Sequence, residues 1–169
     1  IRLTSSTDHN SILESSFVII PLILVSITFV WGIKSYLNMV TVPNDAIEIK
    51  VTGQSWFWTF DYPEGGSTLN ELVVPSGVPI KIVLSSKDVI HSFKLPELRV
   101  AQDAIPGMSI PVHFEATMTS EEFLQEMDDT PRKGKGLEIV CAQLCGLGHY
   151  KMKGYLTIHD EGGFQAWLD

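Results

Sequence analysis

Hydrophobic and polar positions follow two regimes along this chain, and the change falls near residue 40. Residues 15–33 are an uncharged, mostly apolar run bounded by Glu14 and Lys34. At ~1.5 Å per residue such a run covers roughly the 30 Å of a bilayer core. A buried core helix is the competing reading, but core helices are usually shorter and less uniformly apolar. The run is too long and too far from the start for a signal peptide, and no small-residue cleavage site closes it. Pro21 sits inside it, where a spanning helix tolerates a kink. Trp31 and Tyr36 fall near its far end, where amphipathic rings favour the interface. The pattern predicts a transmembrane helix over residues 14–39, after a polar segment over residues 1–13. Arg2 and Lys34 lie one on each side, so charge does not orient it.

From residue 40 on the period becomes two. Residues 46–51 read A-I-E-I-K-V, with Ile47, Ile49 and Val51 on one face, which is the pattern of a half-buried strand. Residues 56–62 form an aromatic-rich strand pattern, and Pro63-Glu64-Gly65-Gly66 forms a turn. Residues 72–74, 80–84, 110–114, 137–140 and 155–158 give further short strands. Many short strands between Gly and Pro turns argue a Greek-key sandwich or barrel over residues 40–169. Residues 119–127 differ: Ser120 is placed to cap a short acidic helix inside an insertion over residues 117–135. Residues 163–168 suit a last helical turn.

Candidate chemistry concentrates in C-A-Q-L-C-G-L-G-H-Y-K-M, residues 141–152, which holds both cysteines of the chain. Cys141, Cys145, His149 and Met152 are soft or borderline ligands, a set that selects copper over magnesium or calcium. The glycines between Cys145 and His149 allow a tight bend. A plain disulfide would close a very short C-x3-C loop. A zinc site would more often use C-x2-C and a second such pair. A single blue-copper ion needs one Cys, with a His and a Met downstream and a second His upstream. Two thiolates can instead bridge two copper ions, the reading that uses both.

These residues match the loop of the dinuclear copper (CuA) domain in subunit II of haem–copper cytochrome c oxidases. Asp88-Val89-Ile90-His91-Ser92-Phe93 resembles that family's D-V-I-H-S-W segment, which carries a histidine ligand. Residues 54–62 resemble its aromatic segment, and Asp103-Ala104-Ile105-Pro106-Gly107 is similar to its D-A-V-P-G turn. The matches come in family order over residues 14–158. The resemblance implies a mainly β, cupredoxin-like fold behind a membrane helix. It implies that Cys141 and Cys145 bridge two copper ions. His91 and Met152 complete one, and His149 with the carbonyl of Gln143 completes the other. Trp56 matches the tryptophan through which family members receive electrons from cytochrome c. His9, His113 and His159 lack such company and are read as surface or structural residues.

The resemblance also implies partners. Electrons would pass to haem in a separate subunit I of an oxygen-reducing, proton-translocating complex, with no complete active site on this chain. The copper domain would lie on the periplasmic or intermembrane-space side of a bacterial plasma membrane or mitochondrial inner membrane. Subunit II usually has two membrane helices, and Glu14 with Pro21 matches the start of the second, so the first is absent from this sequence. Phe17 stands where the family commonly has Trp. Gln143 replaces the usual Glu, whose carboxylate reaches a magnesium ion at the subunit I boundary; a neutral amide is a poorer ligand for a hard cation. Ala101 and Met108 depart from the family's Lys and Arg.

Charge enters last. The chain has 20 acidic and 12 basic side chains, and two of each precede residue 41, so the whole −8 belongs to the later part. A negative surface would steer a basic cytochrome c; the plainer reading is solubility. No phosphate-cradling loop, nucleic-acid signature or haem-attachment C-x-x-C-H occurs. Three rivals share some features. A nitrous oxide reductase has a similar copper domain but no such anchor, and carries a large catalytic domain. A quinol oxidase subunit has lost the cysteines. A copper-delivery or thiol–disulfide accessory protein of the membrane would use the Cys pair without needing His91, Met152 and the aromatic strand together.

Overall fold

The computed structural model describes residues 9–126 and 136–169. Two compact units divide at Thr41 and Val42. The first is built on α1 (Ser11–Val40), a 30-residue helix. It starts a few residues earlier than its uncharged stretch because Asn10 caps it, the Asn10 side chain accepting from the Leu13 N–H at 3.1 Å. Its apolar side chains are exposed all round, and it is long and apolar enough to cross a membrane. The hydroxyls of Ser16, Ser26 and Thr28 bond back to carbonyls one turn earlier, which removes their polar cost in an apolar setting.

The second unit is a two-sheet sandwich. One sheet contains β1 (Ile47–Gln54), β2 (Phe57–Asp61), β3 (Ser67–Leu69), β5 (Pro79–Ser86) and β8 (Ile110–Glu115), in the order β3-β2-β1-β5-β8. The other contains β4 (Glu71–Pro75), β6 (His91–Leu95), β7 (Val100–Ala104), β9 (Leu137–Cys141) and β10 (Lys153–His159), in the order β4-β10-β9-β6-β7. β1 runs parallel to β5 and β4 parallel to β10; the remaining pairings are antiparallel. Alternation fixes the faces: Ile49 and Val51 of β1 and Ile80, Ile82 and Leu84 of β5 are fully buried. They meet Leu72, Phe93, Ile139 and Leu156 of the other sheet in one core.

Two links tie the sheets together. Asn70, in the left-handed region at φ 56°, donates its N–H to Trp58 O and accepts the Trp58 N–H on its side chain, both at 2.8 Å. Its carbonyl accepts the Tyr155 N–H of β10, also at 2.8 Å. Tyr62 places its hydroxyl between both backbone groups of Val73, accepting from N–H at 2.7 Å and donating to C=O at 3.1 Å.

The helices differ in detail from the pattern. α2 (Ser120–Glu126) is capped by Thr119 rather than Ser120. Thr119 Oγ1 accepts from the Glu122 N–H while the Glu122 carboxylate accepts from the Thr119 N–H, a reciprocal capping box. Ser120 is instead drawn to β10, its hydroxyl accepting the Ile158 N–H at 2.8 Å. The rest of the expected insertion, residues 127–135, lies outside the described residues, as do residues 1–8 of the polar segment. α3 (Glu161–Leu168) is longer than a single turn; Asp160 caps it, Phe164 is buried and Trp167 packs on Tyr62 at 5.0 Å between ring centroids.

Candidate metal centre

The centre forms where β6 and the loop after β9 meet. Cys141 ends β9 opposite Phe93, and the loop then returns to β10. A Cys141 N–H bond to Met152 O at 3.2 Å closes the loop at its base. The Ala142 N–H reaches Ser92 O at 2.8 Å, pinning the loop's first residue to β6. A short 3-10 turn, His149–Lys151, aims the later donors inward, with the Met152 N–H on His149 O at 3.1 Å.

Five side chains and one carbonyl converge there. The Cys141 and Cys145 sulfurs lie 3.7 Å apart. His91 Nδ1 is 3.9 Å from Cys141 Sγ, and His149 Nδ1 is 3.5 Å from Cys145 Sγ. Met152 Sδ stands 3.7 Å from Cys145 Sγ, and the Gln143 carbonyl oxygen 3.1 Å from Cys141 Sγ. His91, Cys141, Cys145 and Met152 are buried, while His149 is partly buried and Gln143 exposed. Both cysteines are free. Their separation is far beyond the ~2.05 Å of a disulfide bond. It is short enough for both sulfurs to touch a shared metal at thiolate bond lengths of about 2.3 Å. Donor type and spacing therefore fit a soft metal. Burial, followed by the neighbouring Cys141 thiol, pushes the Cys145 thiol up to about 12. A bound cation reverses that balance, since a coordinating thiol gives up its proton.

Asp88 holds His91, a contact to which the sequence pattern gave no role. Its Oδ1 lies 2.8 Å from His91 Nε2, so the proton sits on Nε2 and the Nδ1 lone pair faces the sulfurs. Burial works against the Asp88 charge. Hydrogen bonds from Ser55, His91 and the Val89 N–H outweigh it and hold the carboxyl well below the usual carboxylate range. Gly53 of β1 also lies against the ring: a Cβ there would stand 2.9 Å from His91 Cδ2. Trp58 completes the pocket, edge-on to His91 at 5.9 Å. The only trace of this hold in the sequence is an acidic residue three positions before the histidine.

Trp56 lies just before β2 rather than in it, and 40% of it is exposed. Its Nε1–H donates to the Cys145 carbonyl at 3.2 Å. Trp58 and Phe60, on the alternate positions, are in the core, and Phe57 is only partly buried. His9 pairs with Glu14 at 3.3 Å, and His113 and His159 lie on β8 and β10. None of the three belongs to the buried cluster of ligand atoms.

Comparison with known proteins agrees with this arrangement. Residues 66–157 match the family model of the cytochrome c oxidase subunit II periplasmic domain. The alternative cytochrome c oxidase subunit 2 of Bradyrhizobium diazoefficiens is 28% identical over 169 residues, covering 82% of this chain and 56% of that protein. Cytochrome c oxidase subunit 2 of Thermostichus vulcanus is 34% identical over 119 residues, covering 70% of this chain and 32% of that protein. The chain thus spans only part of the length of these relatives. Among solved structures, the periplasmic domain of subunit II of the Bradyrhizobium japonicum cytochrome oxidase superposes with a TM-score of 0.62 at 27% identity, over 76% of this chain and 94% of that one. The cupredoxin-like sandwich, the apolar helix ahead of it and the matched periplasmic domain lead to one assignment: the chain belongs to the cytochrome c oxidase subunit II family.

Proposed function

We propose that this chain is the subunit through which electrons enter a haem–copper terminal oxidase. It accepts them from cytochrome c at a dinuclear copper centre and passes them to haem in a separate subunit that reduces oxygen to water. The observation that carries this reading is the pair of free thiols 3.7 Å apart, flanked by His91, His149, Met152 and the Gln143 carbonyl. Cys141, Cys145, His91, His149, Met152 and the Gln143 carbonyl would hold the copper, the two thiolates being the donors that both ions could share. When bound, the copper pair supplies a one-electron relay whose charge change is shared between two ions. The protein's part is rigidity. Asp88 fixes the tautomer and angle of His91, and the sandwich holds donors from β6 and the loop in register, so little has to move when an electron arrives.

Trp56 is where electrons enter, since it is partly exposed and hydrogen-bonded to the backbone of a sulfur ligand. α1 anchors the chain in the membrane, with the sandwich on the periplasmic or intermembrane-space side. The exposed amide of Gln143 gives magnesium no carboxylate, so this reading assigns no magnesium ion to the chain.

The test is to load the full chain in detergent with copper, count ions per chain and record the EPR spectrum. Two coppers sharing one unpaired electron support the reading; one copper with a single-nucleus signal, or a Cys141–Cys145 disulfide and no tight copper, overturns it.

A second reading concerns the thiols before metal arrives. A solved structure captures the mixed-disulfide intermediate between a thioredoxin-like protein and subunit II of cytochrome c oxidase, and superposes on this chain with a TM-score of 0.58 at 28% identity. We infer that Cys141 and Cys145 are likewise kept reduced by a thioredoxin-like partner. The test offers the chain, first oxidised to the Cys141–Cys145 disulfide, to a reduced thioredoxin whose resolving cysteine is removed: its thiolate should bond one cysteine and release the other as a thiol, and no adduct at either cysteine would end the reading.

A further inference from the structure

Two glycines in the metal-binding loop have different reasons to be glycine. Gly146 has φ +114°, a conformation that L side chains rarely adopt. Gly148 does not: at φ −90° and ψ 8° its backbone is open to any residue. What excludes a side chain there is Trp56. A Cβ at Gly148 would lie 2.2 Å from Trp56 Cδ2, 2.4 Å from Cε3 and 2.7 Å from Cγ. These atoms belong to the indole near its root, so the ring cannot yield by moving a flexible tip. A Cβ at Gly146 would meet the other end of the same ring, 3.4 Å from Cζ2 and from Nε1. The indole therefore lies along the loop from Gly146 to Gly148, with its N–H at the Gly146 end, on the carbonyl of the preceding Cys145.

We propose that Gly148 is a positioning residue for Trp56, its missing side chain forming with Gly146 the flat seat that holds the indole against the backbone of Cys145. This rests on the reading of Trp56 as the point where electrons enter. Cys145 then serves twice, its sulfur facing the metal site and its carbonyl facing the indole. An electron delivered to the exposed side of the ring has one hydrogen bond and the covalent frame of one residue to cross before reaching a donor sulfur. The donor loses one electron, the centre gains one, and no proton or bond changes hands. A methyl group at 148 lifts the ring, stretches the Nε1–H···O=C bond and lengthens that route without altering any donor atom.

The experiment uses the full chain in detergent with its four tryptophans replaced by 5-fluorotryptophan. Each gives a fluorine resonance, and Trp56 is assigned by its loss in Trp56→Ala. Gly148→Ala is expected to move the Trp56 resonance toward the solvent-exposed range and leave Trp31, Trp58 and Trp167 unchanged. In the copper-loaded chain, Gly148→Ala is expected to slow reduction by reduced cytochrome c by about tenfold, with the copper count and EPR spectrum unchanged. Added to Trp56→Ala, it should slow the reaction no further, since it acts only through the ring. If Gly148→Ala weakens copper retention, adding Trp56→Ala should restore it by making room for the methyl group. An unmoved Trp56 resonance, a full further slowing in the Trp56→Ala background, or copper loss that Trp56→Ala does not rescue would each overturn the proposal. If Trp56→Ala alone leaves the rate unchanged, the electron-accepting role of Trp56 falls, while the fluorine resonance still decides the seat.

Discussion

Asp88 and Tyr62 are short-range devices, and each makes a measurable prediction. Asp88 accepts from Ser55 and Val89 while holding His91 Nε2, so removing its carboxylate frees the ring and takes away the acceptor of two exposed N–H groups. Asp88→Ala is expected to weaken copper binding about 10- to 100-fold in a competition titration, the usual cost of losing the partner that orients a metal-binding histidine. Tyr62 satisfies both backbone groups of Val73 inside the sandwich. Tyr62→Phe keeps the ring against Trp167 but leaves the Val73 N–H unpaired. It should lower unfolding free energy by about 1–3 kcal/mol in denaturant melts, with copper content unchanged. The convergence of the candidate donors was legible in part: Cys141, Cys145, His149 and Met152 fall within one loop, while the Gln143 carbonyl and His91 were expected only from the family resemblance. The supports around them were not. Gly53 and Gly148 act across space on rings that the chain order does not place beside them, and Asp88, though only three positions before His91, shows its hold on the ring only in the fold.

At the scale of elements, legibility followed burial on one face. β1 and β5 alternate cleanly and were readable as strands. β6 was not, because His91 and Ser92 are polar residues in a strand buried on nearly every position. β7, V-A-Q-D-A, carries no apolar period, and β3 is three residues long. Both exist because a neighbour pairs with them: β6 holds β7 from His91↔Ala104 to Leu95↔Val100, and β2 holds β3. Pairing partners are not written in the local sequence. α2 shows the reverse case, a local signal with the wrong residue chosen: Thr119 caps it, since Ser120 is claimed by β10. The two Thr119 donors, first its N–H, hold the Glu122 carboxyl below its ordinary value. A lowered folded value means that this support is present above the unfolded carboxylate range, near pH 4.3, and is lost as pH falls through the folded value. Carboxyl-carbon NMR should find Glu122 titrating below free glutamate, and Thr119→Ala, which removes the hydroxyl and keeps the N–H, should raise it only part of the way back.

On the scale of the whole molecule the sandwich unit carries the entire net charge of −8. If its donor is a basic cytochrome c, the second-order rate of reduction should fall steadily as ionic strength rises from about 10 to 150 mM, as the Debye length shrinks from ~30 to ~8 Å. The rate after binding should not follow salt. A rate indifferent to salt would mean that the acidic balance serves solubility alone.

The strand order has a consequence in time. β10 is the last strand of the chain, yet it lies inside its sheet, between β4 and β9, and its pairing with β4 spans most of the domain. Contacts that distant in sequence form late. The domain must therefore wait for nearly its last residues before that sheet closes. The loop with both cysteines immediately precedes β10. During synthesis the thiols are therefore made before the framework that will hold their sulfurs apart is complete. That interval, rather than the finished fold, is when they are most open to oxidation and to any escort that guards them.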